Sequence, residues 1–328
     1  MGTYLNPDNS KFQESINSDI YVDKTGLITY TNSVMHTQQK CICVSRPRRF
    51  GKSMAANMLS AYYSRGCDSK ELFQNLEIAE DDQFETYLNQ YDVIFLNVQE
   101  FLSQSKNIDE MISLIRRSVL WDLLGEYPEF RYFDTSNLTR TMQDVYQQTK
   151  CPFVVIIDEW DCVFREYKTN RETQERYLDF LRDLLKDKGY IHLVYMTGIL
   201  PIKKYGTHSA LNMFDEFSMI EPGPLASYVG FTETEVQKLC GQYDMELEEV
   251  KNWYDGYSFD KALSVYSPRS VVSCMRLGKI GNYWNQTETF EALQVYIDMN
   301  FDGLKDDVLS MIAGNQVPVN IGSFTNDM

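Results

Sequence analysis

Apolar positions along the chain fall into two rhythms. Short runs with little polar interruption occur at Lys40-Cys-Ile-Cys-Val-Ser45, Tyr91-Asp-Val-Ile-Phe-Leu-Asn97, Pro152-Phe-Val-Val-Ile-Ile157 and Ile191-His-Leu-Val-Tyr-Met196. Runs of this length, bounded by polar residues, predict strands. The third is so apolar that it must be covered on both faces, which belongs to the middle of a parallel sheet. Between the runs, apolar residues recur at helical spacing. Leu27, Ile28, Tyr30 and Val34 form one such set, and Met54, Met58, Leu59 and Tyr62 another. Further helices are predicted over 108–124, 138–149 and 171–188, the last carrying Tyr177, Leu178, Phe180, Leu181, Leu184 and Leu185 on one side. Strands alternating with helices predict crossovers and an α/β sandwich around a central, mostly parallel sheet.

After about Pro201 the texture changes. Pro222-Gly-Pro224 makes a break, and short helical stretches follow at 232–243, 247–254, 268–277 and 288–300. The expected organisation is a polar N-terminal surface segment over 1–20, an α/β domain over 21–210 and a smaller, mainly helical domain over 211–328. A chain of 328 residues with 43% hydrophobic positions can bury a core without disulfides or metal staples. Its 31 basic and 47 acidic residues leave a net charge of −16. That balance argues against a surface built to wrap nucleic acid or anionic lipid, so direct nucleic-acid contact is not expected. No run of apolar residues reaches membrane-spanning length, and the opening Met-Gly-Thr-Tyr-Leu-Asn resembles no secretory signal. Asn6 stands where myristoylation would want Ser or Thr. The seven scattered cysteines include no CxxC pair, and reduced thiols in a cytoplasmic protein are the expectation. Cys41 and Cys43, with His36 nearby, lack the further ligands a zinc site needs and are expected to pack a strand.

The strongest chemistry follows the first predicted strand. Arg46-Pro-Arg-Arg-Phe-Gly-Lys-Ser53 matches G-x-x-x-x-G-K-[ST] at Gly51, Lys52 and Ser53, with Arg46 in place of the first glycine. A strand before it and a helix after it are the required context. Loop and helix N–H groups would hold phosphates, Lys52 would reach the β- and γ-phosphates, and the Ser53 hydroxyl would bind Mg²⁺. The candidate nucleotide-binding residues are Arg48, Arg49, Phe50, Gly51, Lys52, Ser53 and Met54. The loop arginines are equally readable as phosphate contacts, partner contacts or a solvated basic loop. Pro47 restricts Arg46 to extended conformations, which favours a side chain pointing outward, away from the nucleotide, with Arg48 and Arg49 nearer the crown of the loop. In that position Arg49 would be a catalytic contributor at the γ-phosphate.

The third strand runs into Asp158-Glu159-Trp-Asp161. Carboxylates there would lie at the carboxyl edge of the sheet, where open α/β sheets bind ligands. Asp158 is the second candidate Mg²⁺ ligand, and Glu159 the candidate general base for an attacking water. Thr197 ends the fourth strand, either beside a γ-phosphate or as an ordinary strand terminator. Lys203 and Lys204 follow it, readable as nucleotide sensors or as solvated surface lysines.

Taken together, several segments resemble the AAA-ATPase-like family of bacterial P-loop proteins. They are Tyr21-Val-Asp-Lys-Thr25, the 46–53 loop, Asp158-Glu159, Thr197-Gly-Ile-Leu-Pro-Ile-Lys-Lys204, Gly230-Phe-Thr-Glu-Thr-Glu-Val236 and Trp253-Tyr-Asp-Gly-Tyr257. The resemblance runs from about residue 5 to the last residue. It implies a P-loop NTPase sandwich, treats arginine at position 46 as normal, and implies ATP with Mg²⁺ as the bound ligand. Members often carry a C-terminal nuclease-like domain, which this chain is expected to lack. The closing 322–328 stretch reads as the start of a segment that continues in longer relatives, so a truncated chain is the expectation. Glu166-Tyr-Lys168 and Glu249-Val-Lys251 fit the letters of a nuclease motif but fall in helical or polar stretches. The aromatics around Asp255-Gly256 would frame a ligand or, more simply, pack a turn between two helices.

Two functions follow from these residues. One is an ATP-hydrolysing enzyme whose cycle rearranges the helical domain, with a protein partner or self-association as its context. The other is a nucleotide-gated sensor with negligible turnover, coupled to an effector domain outside this chain. Glu159 favours the first, since a sensor needs only Lys52, Ser53 and Asp158. No Asn-Lys-x-Asp guanine reader occurs, which favours ATP.

Overall fold

The computed structural model describes residues 2–202, 211–219, 221–259, 263–283, 306, 309, 310, 313–315 and 317. Lys203, Lys204, the 288–300 stretch and residues 322–328 lie outside the described residues.

Five strands form a parallel sheet: β1 (Cys41–Ser45), β2 (Asp92–Asn97), β3 (Phe153–Asp158), β4 (Ile191–Gly198) and β5 (Asp215–Phe217). Their order is β2-β3-β4-β1-β5. β3 lies between two neighbours and every one of its residues is buried, so its sequence shows no polar alternation. Its side chains still alternate between layers. Phe153, Val155 and Ile157 join one apolar cluster, and Val154 and Ile156 the other.

The helices that supply those layers are α1 (Ser10–Ile16), α2 (Gly26–Val34), α3 (Lys52–Tyr63), α4 (Lys70–Phe73), α5 (Phe84–Tyr87), α6 (Val98–Ser103), α7 (Ile108–Glu126), α8 (Leu138–Thr149), α9 (Cys162–Glu166) and α10 (Arg171–Leu185). α1 to α5 contribute to the cluster that holds Val154, and α6 to α10 to the cluster that holds Val155. Helices therefore cover both faces, as a parallel sheet requires. The first 20 residues are more than the surface segment expected from their polarity. Leu5 bridges Ile94, and Asn6 bonds Val93 through backbone and side chain, closing the outer edge of β2. Phe12 of α1 is buried and stacks on Phe73 at 4.9 Å.

The second unit has its own core. α11 (Glu233–Tyr243), α12 (Leu247–Tyr254) and α13 (Pro268–Leu277) bury Val236, Leu239, Val250, Val271 and Cys274 together. A three-stranded antiparallel sheet joins them: β6 (Phe231–Thr232), β7 (Asp255–Phe259) and β8 (Leu263–Tyr266), ordered β6-β8-β7. The unit is mainly helical, with a small sheet that the hydrophobic pattern did not announce. Trp253-Tyr-Asp-Gly-Tyr257 is consequently not a turn between helices. It ends α12 and begins β7, and the buried Tyr254 hydroxyl exchanges hydrogen bonds with Gly281 O at 2.8 Å and Gly281 N at 2.9 Å. Among the described residues no helix is long and apolar enough to cross a membrane, and no group of three His, Cys, Asp or Glu could hold a metal ion. The seven cysteines are unbridged, and Cys41 and Cys43 pack within β1.

Candidate functional site

β1, β2, β3 and β4 end at one edge of the sheet, at Ser45, Asn97, Asp158 and Gly198. From Ser45 the chain turns through the 46–51 loop into α3. Two left-handed residues make that turn, Arg49 with φ 68° and Gly51 with φ 91°. A Cβ at position 51 would meet nothing within 4 Å, so backbone conformation, not space, demands glycine there. No side chain caps the start of α3. Its first N–H groups, at the positive end of the helix dipole, remain for an anionic ligand.

Lys52 is buried and its ammonium donates to Pro47 O at 3.0 Å. Burial lowers its pKa, against the opposing pull of Glu159, Asp158 and Asp161. The Ser53 hydroxyl donates to Asp158 Oδ2 at 2.6 Å, and the Thr197 hydroxyl to Asp158 Oδ1 at 2.5 Å. β4 lies between β1 and β3, which is how Thr197 comes to sit between the loop and Asp158. Thr197 is fully buried and turned onto Asp158, one layer behind the surface of the cleft. A hydroxyl and a carboxylate in contact are the hard oxygen donors that Mg²⁺ takes, so Ser53 and Asp158 fit that ion.

Glu159 occupies a left-handed backbone at φ 55°, and its N–H donates to Asp158 Oδ1 at 3.1 Å. Desolvation raises its carboxyl pKa, opposed first by the charge of Arg165. Arg165 forms an ion pair with Glu159 Oε2 and a second with Asp161 Oδ2 at 3.3 Å. Asp161 is buried and also accepts the N–H groups of Ile199 and Leu200 at 3.1 and 3.0 Å. The chain turns closely here. A Cβ on Gly198 would fall 2.6 Å from the Trp160 ring and 2.7 Å from Asp161 Oδ1.

The phosphate loop opens into a cleft of about 1240 Å³ between the two units. Arg48, Arg49, Phe50, Gly51, Lys52, Ser53, Met54 and Glu159 line it from the α/β unit. Tyr228, Gly230, Phe231, Arg269 and Val272 line it from the other side, and Tyr21, Val22 and Lys24 form a further wall. Arg46 takes no part in the lining. Its side chain lies away from the cleft but turns into the protein rather than to solvent: it is fully buried, with Nη1 donating to Ser45 O at 3.0 Å and Phe217 O at 2.9 Å. The parallel β5 strand offers the Phe217 carbonyl to it. Arg165 and Lys24 were not identified as site residues from the sequence. Arg165 had one legible signal, its i,i+4 spacing from Asp161.

A family model described as Predicted AAA-ATPase matches residues 9–207, more than half of the chain. The chain belongs to the AAA-ATPase-like family. It is a P-loop protein of the nucleotide-binding class, and the matched span holds the loop, Asp158, Glu159 and Thr197. An uncharacterized protein in vnfD 5'region from Azotobacter chroococcum mcd 1 is 22% identical over 280 residues, 82% of this chain. This AAA-ATPase-like chain spans about half, 51%, of the length of that relative. The ORC2 protein of Aeropyrum pernix, solved as ADPNP-ADP complexes, aligns with a TM-score of 0.42 at 11% identity, covering 97% of this chain and 87% of that one.

Proposed function

We propose that this AAA-ATPase-like chain binds ATP with Mg²⁺ in the cleft and hydrolyses it, the cycle shifting the second unit against the α/β unit. The observation that carries the reading is the 2.6 Å contact between Ser53 and Asp158, made across the sheet edge where Lys52 and Glu159 also converge. Phosphoryl transfer asks a protein chiefly for positioning and charge. Lys52 would face the β- and γ-phosphates, with Arg48 and Arg49 adding positive charge at the loop crown. Phe50, Gly51 and Met54 complete the loop around the phosphates. Ser53 and Asp158 would hold Mg²⁺, which when bound neutralises charge on the phosphate oxygens. Thr197 fixes the Asp158 carboxylate, and Glu159 would take the proton of the attacking water. The absence of an Asn-Lys-x-Asp reader favours ATP over GTP. Lining of the cleft by both units supports coupling of the ligand to their relative position.

Two variants test the reading. Lys52→Ala should weaken ATP binding by about tenfold or more, because a buried cation facing phosphates is lost. Equal affinity in wild type and variant by calorimetry would remove the phosphate site from this loop. Glu159→Gln should keep Mg·ATP binding and lose about 100-fold or more in phosphate release, since the amide keeps the shape and cannot accept the proton. Wild-type protein that binds ATP without turnover above background would instead establish the nucleotide-gated sensor.

A further inference from the structure

We propose that Arg165 is a positioning residue for Glu159, fixing one carboxylate oxygen and linking it through Asp161 to the chain that leaves β4. The inference rests on the hydrolytic reading of the site. Among the described residues, Arg165 is the group that bonds the Glu159 carboxylate, and the bond goes to Oε2. Glu159 lines the cleft, whereas Arg165 approaches it from α9 and is absent from the cleft lining. The guanidinium is therefore a support for the carboxylate rather than a ligand contact.

Two features separate this from an ordinary surface ion pair. The backbone of Glu159 is left-handed, a conformation a long side chain keeps when its surroundings fix it. On its other side Arg165 Nε lies 3.3 Å from Asp161 Oδ2, an ion pair without a hydrogen bond, and that buried carboxylate oxygen accepts the N–H groups of Ile199 and Leu200. The spread charge of the guanidinium lies against both carboxylates at once, which a compact lysine ammonium achieves less well. The chain Glu159–Arg165–Asp161–Leu200 thus ties the carboxylate to the turn that follows Thr197 and Gly198. Displacement of the base by about 1 Å is enough to cost a large factor in rate.

The test is steady-state ATP hydrolysis by R165A, R165K, E159Q and the double variant R165A/E159Q. R165A should lower kcat about 10- to 100-fold with KM for ATP within about twofold of wild type. R165K should recover part of the loss, and the double variant should be no slower than E159Q. Unchanged kcat in R165A, a rise in KM that accounts for the loss, or a double variant slower than E159Q by the full R165A factor each overturn the inference. Should R165A lose its cooperative melting transition, R165K and R165Q carry the same comparison. An E159Q protein with full turnover removes Glu159 as the base and overturns this inference with it, whereas wild type without turnover overturns the hydrolytic reading. An inactive E159Q beside a fully active R165A overturns this inference alone.

Discussion

Arg46 keeps a full guanidinium out of water at the root of the phosphate loop. Burial pulls its pKa down to about 10, which still leaves it charged at neutral pH. Its bonds to Ser45 O and Phe217 O stitch the end of β1 to the short strand β5. The side chain that replaces a loop glycine is thus a structural cation beneath the loop. Arg46→Ala removes two charge-assisted hydrogen bonds and leaves a cavity, so it should cost about 2–4 kcal/mol of stability in urea unfolding. ATP affinity of the folded fraction should change little, and Arg46→Lys should not fully restore the loss because the shorter ammonium stem falls short of the position from which Nη1 bonds both carbonyls. An unchanged urea midpoint together with lost ATP affinity would place the guanidinium in the cleft instead. At this scale the sequence exposed what is local. Gly51, Lys52, Ser53 and the Asp158-Glu159 pair stand in recognisable motifs, and the structure brings Ser53 and Asp158 into contact at 2.6 Å. Where a side chain goes after leaving the backbone was not legible for Arg46, and Arg165 is paired across six positions with Glu159, outside any regular spacing.

Among the elements, the four longer runs were plain because burial of their side chains strips most polar residues from them. β5 was missed for the opposite reason. Asp215-Glu216-Phe217 is a three-residue edge strand whose backbone pairs with β1 alone, too short and too polar to show a period. β6 has two residues, and β7 and β8 pair antiparallel within a stretch of helical texture, so packing rather than propensity decides them. α11 shows the converse. Its Thr232 and Glu235 form a capping box, each satisfying a backbone N–H of the other, which is a start signal written in the sequence. What the capping box did not reveal is that Glu235 has a second partner outside its own helix.

That partner joins the two halves of the molecule. Lys24, in the Tyr21-Val-Asp-Lys-Thr25 segment, reaches Glu235 Oε1 at 2.6 Å and Oε2 at 2.5 Å, and Ser227 O at 2.7 Å. Its neighbour Asp23 faces the other way, accepting the N–H of Glu77 at 2.7 Å within the α/β unit. The segment is therefore anchored to both units, and its Tyr21, Val22 and Lys24 form one wall of the cleft. Burial lowers the Lys24 pKa, and the Glu235 carboxylate opposes that shift. A clasp in this place should couple nucleotide binding to the position of the second unit, since the ligand would occupy the space that the clasp spans. Lys24→Met tests it, because the stem is kept, the charge is lost and Glu235 stays in its capping box with Thr232. The variant should bind ATP about fivefold or more weakly. In limited proteolysis, ATP should slow cleavage around 218–230 in the wild type and give little protection in Lys24→Met. Equal affinity and an equal protection pattern in the two proteins would show that the units close over the nucleotide without the clasp.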